Sequence, residues 1–189
     1  MRQFTSTDVA WLHPLWLGVL VAVSALLTAG YTCVTPFAAF AVITAATLSR
    51  RQALSCVMAA WLANQAAGFG LLSYPWTTDT VAWGIAIGGA AVIATVAAQS
   101  VRGRLGSRAE PVRLGVAFVA AFVVDQLTLY AAAVSVLGGT AAFVPQIVGQ
   151  VALVNALTLG VLIGLHQLLA LVTLATRRRR AHASAARYA

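Results

Sequence analysis

The chain has 189 residues, of which 61% are hydrophobic and only 8% charged. A soluble domain carries about 25% charged residues, so too few charges are present to cover a water-facing surface, and a soluble globular fold is excluded. The net charge is +8 and every basic residue is an arginine; these stand in short clusters between apolar runs, not in a continuous basic stripe, which excludes a nucleic-acid-binding surface.

The composition implies an all-α integral membrane protein. A helix needs about 20 apolar residues to cross the hydrocarbon core, and the runs divide into a bundle of six transmembrane helices over residues 1–176, with a basic tail at 177–189. No secretory signal is read, because the first apolar run leads straight into more membrane sequence. Residues 14–49 are free of charge, too long for one comfortable span and a little short for two. Thr32, Thr35 and Pro36 mark a turn in their middle. The first span is therefore expected near 10–29 and the second near 35–48, the latter short, tilted or partly re-entrant.

The third span is expected over about 52–72, followed by a loop with interfacial aromatics, Tyr74-Pro75-Trp76. The fourth covers 81–101 and ends in a loop with Arg102, Arg104, Arg108 and Arg113. The fifth covers 112–137, where Gly138-Gly139-Thr140 breaks it. The sixth runs over 143–176, longer than one bilayer needs, so it either projects beyond the membrane or bends near Gly160 or Gly164.

Orientation follows from the arginines, which concentrate in cytoplasmic loops. Arg50 and Arg51, the cluster 102–113, and the tail with Arg177–Arg180 and Arg187 all fall on one side if there are six spans. Both termini then lie in the cytoplasm; five spans would also keep the basic loops together but put the N-terminus outside, and Arg2 favours inside. The polybasic run 177–180 serves as a topology anchor with affinity for anionic lipid.

Polar groups within spans are costly and usually face the bundle interior or a cavity. The third span carries Trp61, Asn64, Gln65 and Gly68, with positions 61, 65 and 68 on one helical face. Asp125 and Gln126 lie mid-way along the fifth. The sixth carries Gln146 and Gln150 one turn apart, then Asn155, then His166 and Gln167. Two readings stand for Asp125: a proton, cation or solute site, or an interhelical hydrogen bond made by the protonated acid. Asn64, Gln65, Gln146 and Gln150 have the same two readings, since polar side chains also hold membrane helices together at roughly 0.6–2 kcal/mol each. Tyr74 and Trp76 belong either to an aromatic belt or to a lid over a ligand. His166 reads as a packed polar residue.

The two cysteines, Cys33 and Cys56, fall a membrane apart and are too distant to pair. Cys56 reads as a small buried apolar residue. Cys33 reads the same way, or as a soft ligand presented at an outward pocket. No nucleophile elbow, zinc-helix motif or phosphate loop is present. With only four acids in the chain, enzymatic activity and ATP hydrolysis are not expected, and no cofactor is implied. Energy coupling would come from a partner or a gradient.

A compact six-helix chain of this length with both ends inside resembles the substrate-binding S-components of energy-coupling-factor vitamin transporters. Ala25-x-x-x-Ala29 is similar to the A-x-x-x-A surface by which those proteins dock to a transmembrane coupling subunit that works with ATPases. The stretch Trp61-Leu62-Ala63-Asn64-Gln65-Ala66-Ala67-Gly68-Phe69, followed by Tyr74-Pro75, looks like a family signature facing the pocket. The resemblance implies uptake of a vitamin-like micronutrient across a bacterial inner membrane. Solitary members related to vitamin B12 uptake use an outer cysteine to ligate cobalt, and by depth Cys33 resembles it, which extends the implication to cobalamin or a related cobalt compound. The implied pocket is lined by Trp61, Asn64, Gln65, Asp125, Gln146 and Gln150 and gated by Tyr74 and Trp76. The protein would dock through Ala25 and Ala29, or act alone. The alternative is a non-transporting scaffold or assembly subunit, in which the same polar residues only hold helices together.

Overall fold

The computed structural model describes Trp16, residues 18–20 and 22–23, and residues 36–185, with side chains described as far as residue 172. Most of the expected first span, with Ala25, Ala29 and Cys33, lies outside the described residues. The described residues form helices joined by short turns and loops, with five α-helices in order: α1 Phe37–Thr47, α2 Arg50–Gly70, α3 Thr78–Arg104, α4 Glu110–Ala132 and α5 Pro145–Ala185. A π-turn, Ala133–Leu137, extends α4, and a 3-10 turn, Thr140–Phe143, precedes α5. Trp16 and residues 18–20 and 22–23 are also helical.

Three helical segments are long and apolar enough to cross a membrane: Thr78–Arg104, Glu110–Leu137 and Pro145–Val172. Their outer faces are apolar, with Ile85, Val119, Leu127, Leu153, Leu157 and Leu171 all exposed. Water would penalise so continuous an apolar exterior, whereas lipid would not. α2 has the length to cross but carries Gln52, Asn64 and Gln65 as well as two arginines.

The helix boundaries follow local chemistry. Ser49 caps α2, and its N–H and hydroxyl both donate to Gln52 Oε1, at 3.2 and 2.7 Å, which closes a box over the first turn. Thr77 Oγ1 accepts from the Thr80 N–H at 3.2 Å at the start of α3, where Asp79 complements the helix dipole. Pro111 sits in the first turn of α4, where its missing N–H is harmless. The α4 end turns through Gly138 and Gly139, at φ +72° and +78°, a backbone region that side chains with a Cβ avoid.

The core is built around the shortest helix. α1 packs against α2, α3, α4 and α5, and all but one of its residues are buried. Such all-round apolarity marks a helix with no solvent face. It is only 11 residues long, about 16 Å, roughly half the thickness of a bilayer core. The expected short second span is thus a half-length helix at the centre of the bundle. Its lower end, at Thr47 and Leu48, lies beside the arginine-bearing ends of α2 and α3. Ala91, Ala94 and Ala98 of α3 and Ala117 and Ala121 of α4 pack around it, their small side chains allowing close approach.

Candidate functional site

Because α1 is half-length, its first turn lies buried inside the bundle. Its N-cap is Pro36 and no side chain of its own caps it. The cap comes from α5: Asn155 Oδ1 accepts from the Ala39 N–H at 3.1 Å, while Asn155 Nδ2 donates to the Val151 carbonyl at 3.0 Å. Asn155 is fully buried, and it stands about 15 Å along α5 from its first residue. The positive end of the α1 dipole is therefore directed into the interior at mid-depth.

Asp125 is buried on the face of α4 that carries Ala117 and Ala121, the four-residue stripe that packs into the core. It accepts a hydrogen bond from Gln126 Nε2 at 3.2 Å. By rise along α4 it lies about 22 Å from the arginine-side end, and Asn64 and Gln65 lie at a similar distance along α2. Asp125, Asn64 and Gln65 thus lie at about the same depth, with Asn155 nearer the arginine side.

Within that layer α2 is engaged with α3. Trp61 Nε1 donates to the Gly84 carbonyl at 2.8 Å. A Cβ on Gly88 would stand 2.7 Å from the Trp61 ring, and one on Gly84 would stand 2.6 Å from Gln65 Oε1. Gly84 and Gly88 thus form a G-x-x-x-G seam that receives Trp61 and Gln65, each one turn apart. Gln65 Nε2 also donates to Asn64 Oδ1 at 3.3 Å. Tyr74 folds back over Gly68, with its N–H donating to the Gly68 carbonyl at 3.0 Å. Phe69 stacks on Trp76 at 4.3 Å and meets Tyr74 edge-on at 6.4 Å. Trp76 is 78% exposed.

The structure brings Trp61, Asn64, Gln65 and Tyr74 together at the α2–α3 corner and buries Asp125 in α4. Gln146 and Gln150 are exposed on the first turns of α5. His166 is buried near the other end of α5, edge-on to Trp16 at 5.2 Å. Cys56 is a buried free thiol. Among the described residues no group of three or more His, Cys, Asp or Glu side chains stands together to hold a metal ion. Reading the sequence missed the Gly84–Gly88 seam. Its signal was the four-residue glycine spacing, which does not stand out in a helix this rich in small residues. No protein family, curated protein or solved structure matches the chain.

Proposed function

We propose that this chain is a multi-pass membrane protein that binds a small vitamin-like solute for uptake, in the manner of a transporter substrate-binding subunit. The observation that carries this reading is α1, a charge-free half-helix whose positive end is buried within the bundle. Interrupted helices of this kind build solute sites in membrane transporters, because their free ends offer backbone groups and a dipole where no water is present. Asn155 supplies a buried polar side chain at that end, and Asp125 a second one on α4, about one helical turn further from the arginine side. Six spans, both ends in the cytoplasm and residence in a bacterial inner membrane complete the proposal. Supporting that orientation, Trp16 Nε1 donates to Thr47 Oγ1 at 3.1 Å, which brings the chain near residue 16 to the arginine side.

The test is calorimetry on detergent-purified protein with a panel of water-soluble vitamins, cobalamin included. One compound should bind, and Asp125→Asn should weaken it about tenfold, the worth of one charge-assisted hydrogen bond, without loss of folded protein. No binding across the panel, with uptake by cells unchanged in Asp125→Asn, would sink the proposal.

The seating of Trp61 and Gln65 on glycines favours a second reading, a scaffold subunit in which polar residues serve only packing. A stable protein complex isolated with no retained small molecule would support it.

A further inference from the structure

On the arginine side, the lower end of α1, the start of α2, the end of α3 and the start of α4 line a cavity of about 390 Å³ that is open to the outside. Its lining includes Ser49, Arg50, Gln99, Arg102 and Arg113. Arg102 is 94% buried, from a relative exposure of 6%. Its Nη2 donates to Glu110 Oε1 at 2.9 Å, and Arg113 Nη1 donates to Glu110 Oε2 at 3.0 Å. One carboxylate is thus shared by two guanidinium groups, and Arg50 adds a third positive charge. Arg102 Nη1 and Arg113 Nε are buried donors with no partner, and Gln99 Oε1 is a buried acceptor with none. Buried polar atoms without partners are rare in folded proteins, and two cationic donors are especially costly to leave so. The cavity therefore offers an excess of positive charge, one unfilled donor on each of two guanidinium groups suited to an oxyanion, and one acceptor suited to a hydroxyl. The N-terminus of α2 opens beside it and adds to the field.

We infer that this cavity binds a polyol phosphate: a phosphate group held by Arg102, Arg113 and Arg50, with a neighbouring hydroxyl donating to Gln99. The level of the site, at the arginine ends of apolar helices, favours the headgroup of an anionic glycerophospholipid as the source, since basic pockets between membrane helices take such headgroups. Glycerol phosphate from solution shares the chemistry. The site stands independently of any solute bound at mid-depth.

The experiment is native mass spectrometry of the full chain released from phosphatidylglycerol-containing micelles, with a parallel thermal-shift titration using glycerol 3-phosphate. Retained phosphatidylglycerol is expected, with retention falling about tenfold in Arg102→Gln, the loss of a charge-assisted contact. Arg50→Gln and Gln99→Leu, which leave the Arg102–Glu110 pair in place, should each lower retention to a lesser degree and keep the proposal testable if Arg102→Gln does not fold. Arg104→Gln removes the same charge from an exposed residue outside the cavity lining and should leave retention unchanged. A shift by glycerol 3-phosphate without lipid retention, abolished by the cavity variants, would uphold the site and assign it to a soluble ligand. Neither lipid retention nor a shift, or an equal loss in Arg104→Gln, would overturn it.

Discussion

Buried within the bundle, a backbone N–H has no water to turn to, so α1 can begin there only if something inside the protein accepts from its first turn. Asn155 does so for Ala39, and its own amide is anchored to the preceding turn of α5. Asn155→Leu keeps the volume roughly constant and removes the acceptor. It should cost about 1–3 kcal/mol, the penalty for a buried donor left without a partner. For a chain of this size that is a fall of about 2–12 °C in the thermal midpoint of the detergent-solubilised protein. Gln150→Leu, on the same helix but exposed, should leave the midpoint within about 1 °C, since isolated surface changes are worth little. An equal fall in both variants would show that Asn155 acts through general polarity and not as a cap. The sequence makes Asn155 visible as a polar residue in an apolar run. It does not reveal the partner, because 116 residues separate the two ends of the bond and nothing local to either marks the pairing.

The helices divide by what decides their boundaries. α2, α3 and α4 start within three residues of the positions expected from charge and apolar length, because caps such as Ser49 and Thr77 and the arginine clusters are local signals. α5 continues to Ala185, beyond the expected end at 176. The expectation rested on where apolarity stops, but arginine and alanine are both strong helix formers, so the helix passes the edge of the apolar run unbroken. The α2–α3 contact depends on the absence of side chains, which apolar patterning does not register. Gly88→Ala would drive a Cβ to 2.7 Å from a rigid indole and should destabilise the protein by about 1–3 kcal/mol. In a Trp61→Ala background the obstacle is gone, and the same change should cost under about 0.5 kcal/mol, so that a double-mutant cycle yields a clear coupling. Gly89→Ala, with nothing within 4 Å, should be neutral or stabilising by up to about 1 kcal/mol. Additive effects of Gly88→Ala and Trp61→Ala would mean that the seam is not a close-packed contact.

For the molecule as a whole, the arginines at both ends of the α3–α4 turn fix a common side. Arg102 and Arg113 are tied through Glu110, and the start of α2 is drawn to the same place by Gln99 Nε2, which donates to the Arg50 carbonyl at 3.4 Å. The 70–78 and 138–144 turns lie at the opposite ends of their helices and carry no arginine. Moving the arginine side through a bilayer would cost about 2.5–3.5 kcal/mol for each unpaired arginine at mid-membrane, so one orientation should dominate. Alkaline phosphatase fused after Pro75 or after Gly139 is expected to be active and a fluorescent protein there dark. Fusions after Ser107 and after Ala189 should show the reverse. The half-length α1 makes this experiment discriminating. A chain that turned back before reaching the far side would leave the apparent number of crossings before α2 dependent on the first span alone. A fusion after Gly30 therefore decides whether two segments precede α2, one full and one half. Activity of the phosphatase there, with the fluorescent protein dark, places residue 30 opposite the arginines and makes α1 the returning half-helix that ends at Arg50. Fluorescence at residue 30 would instead put both ends of that segment on the arginine side, and the six-span count would fall.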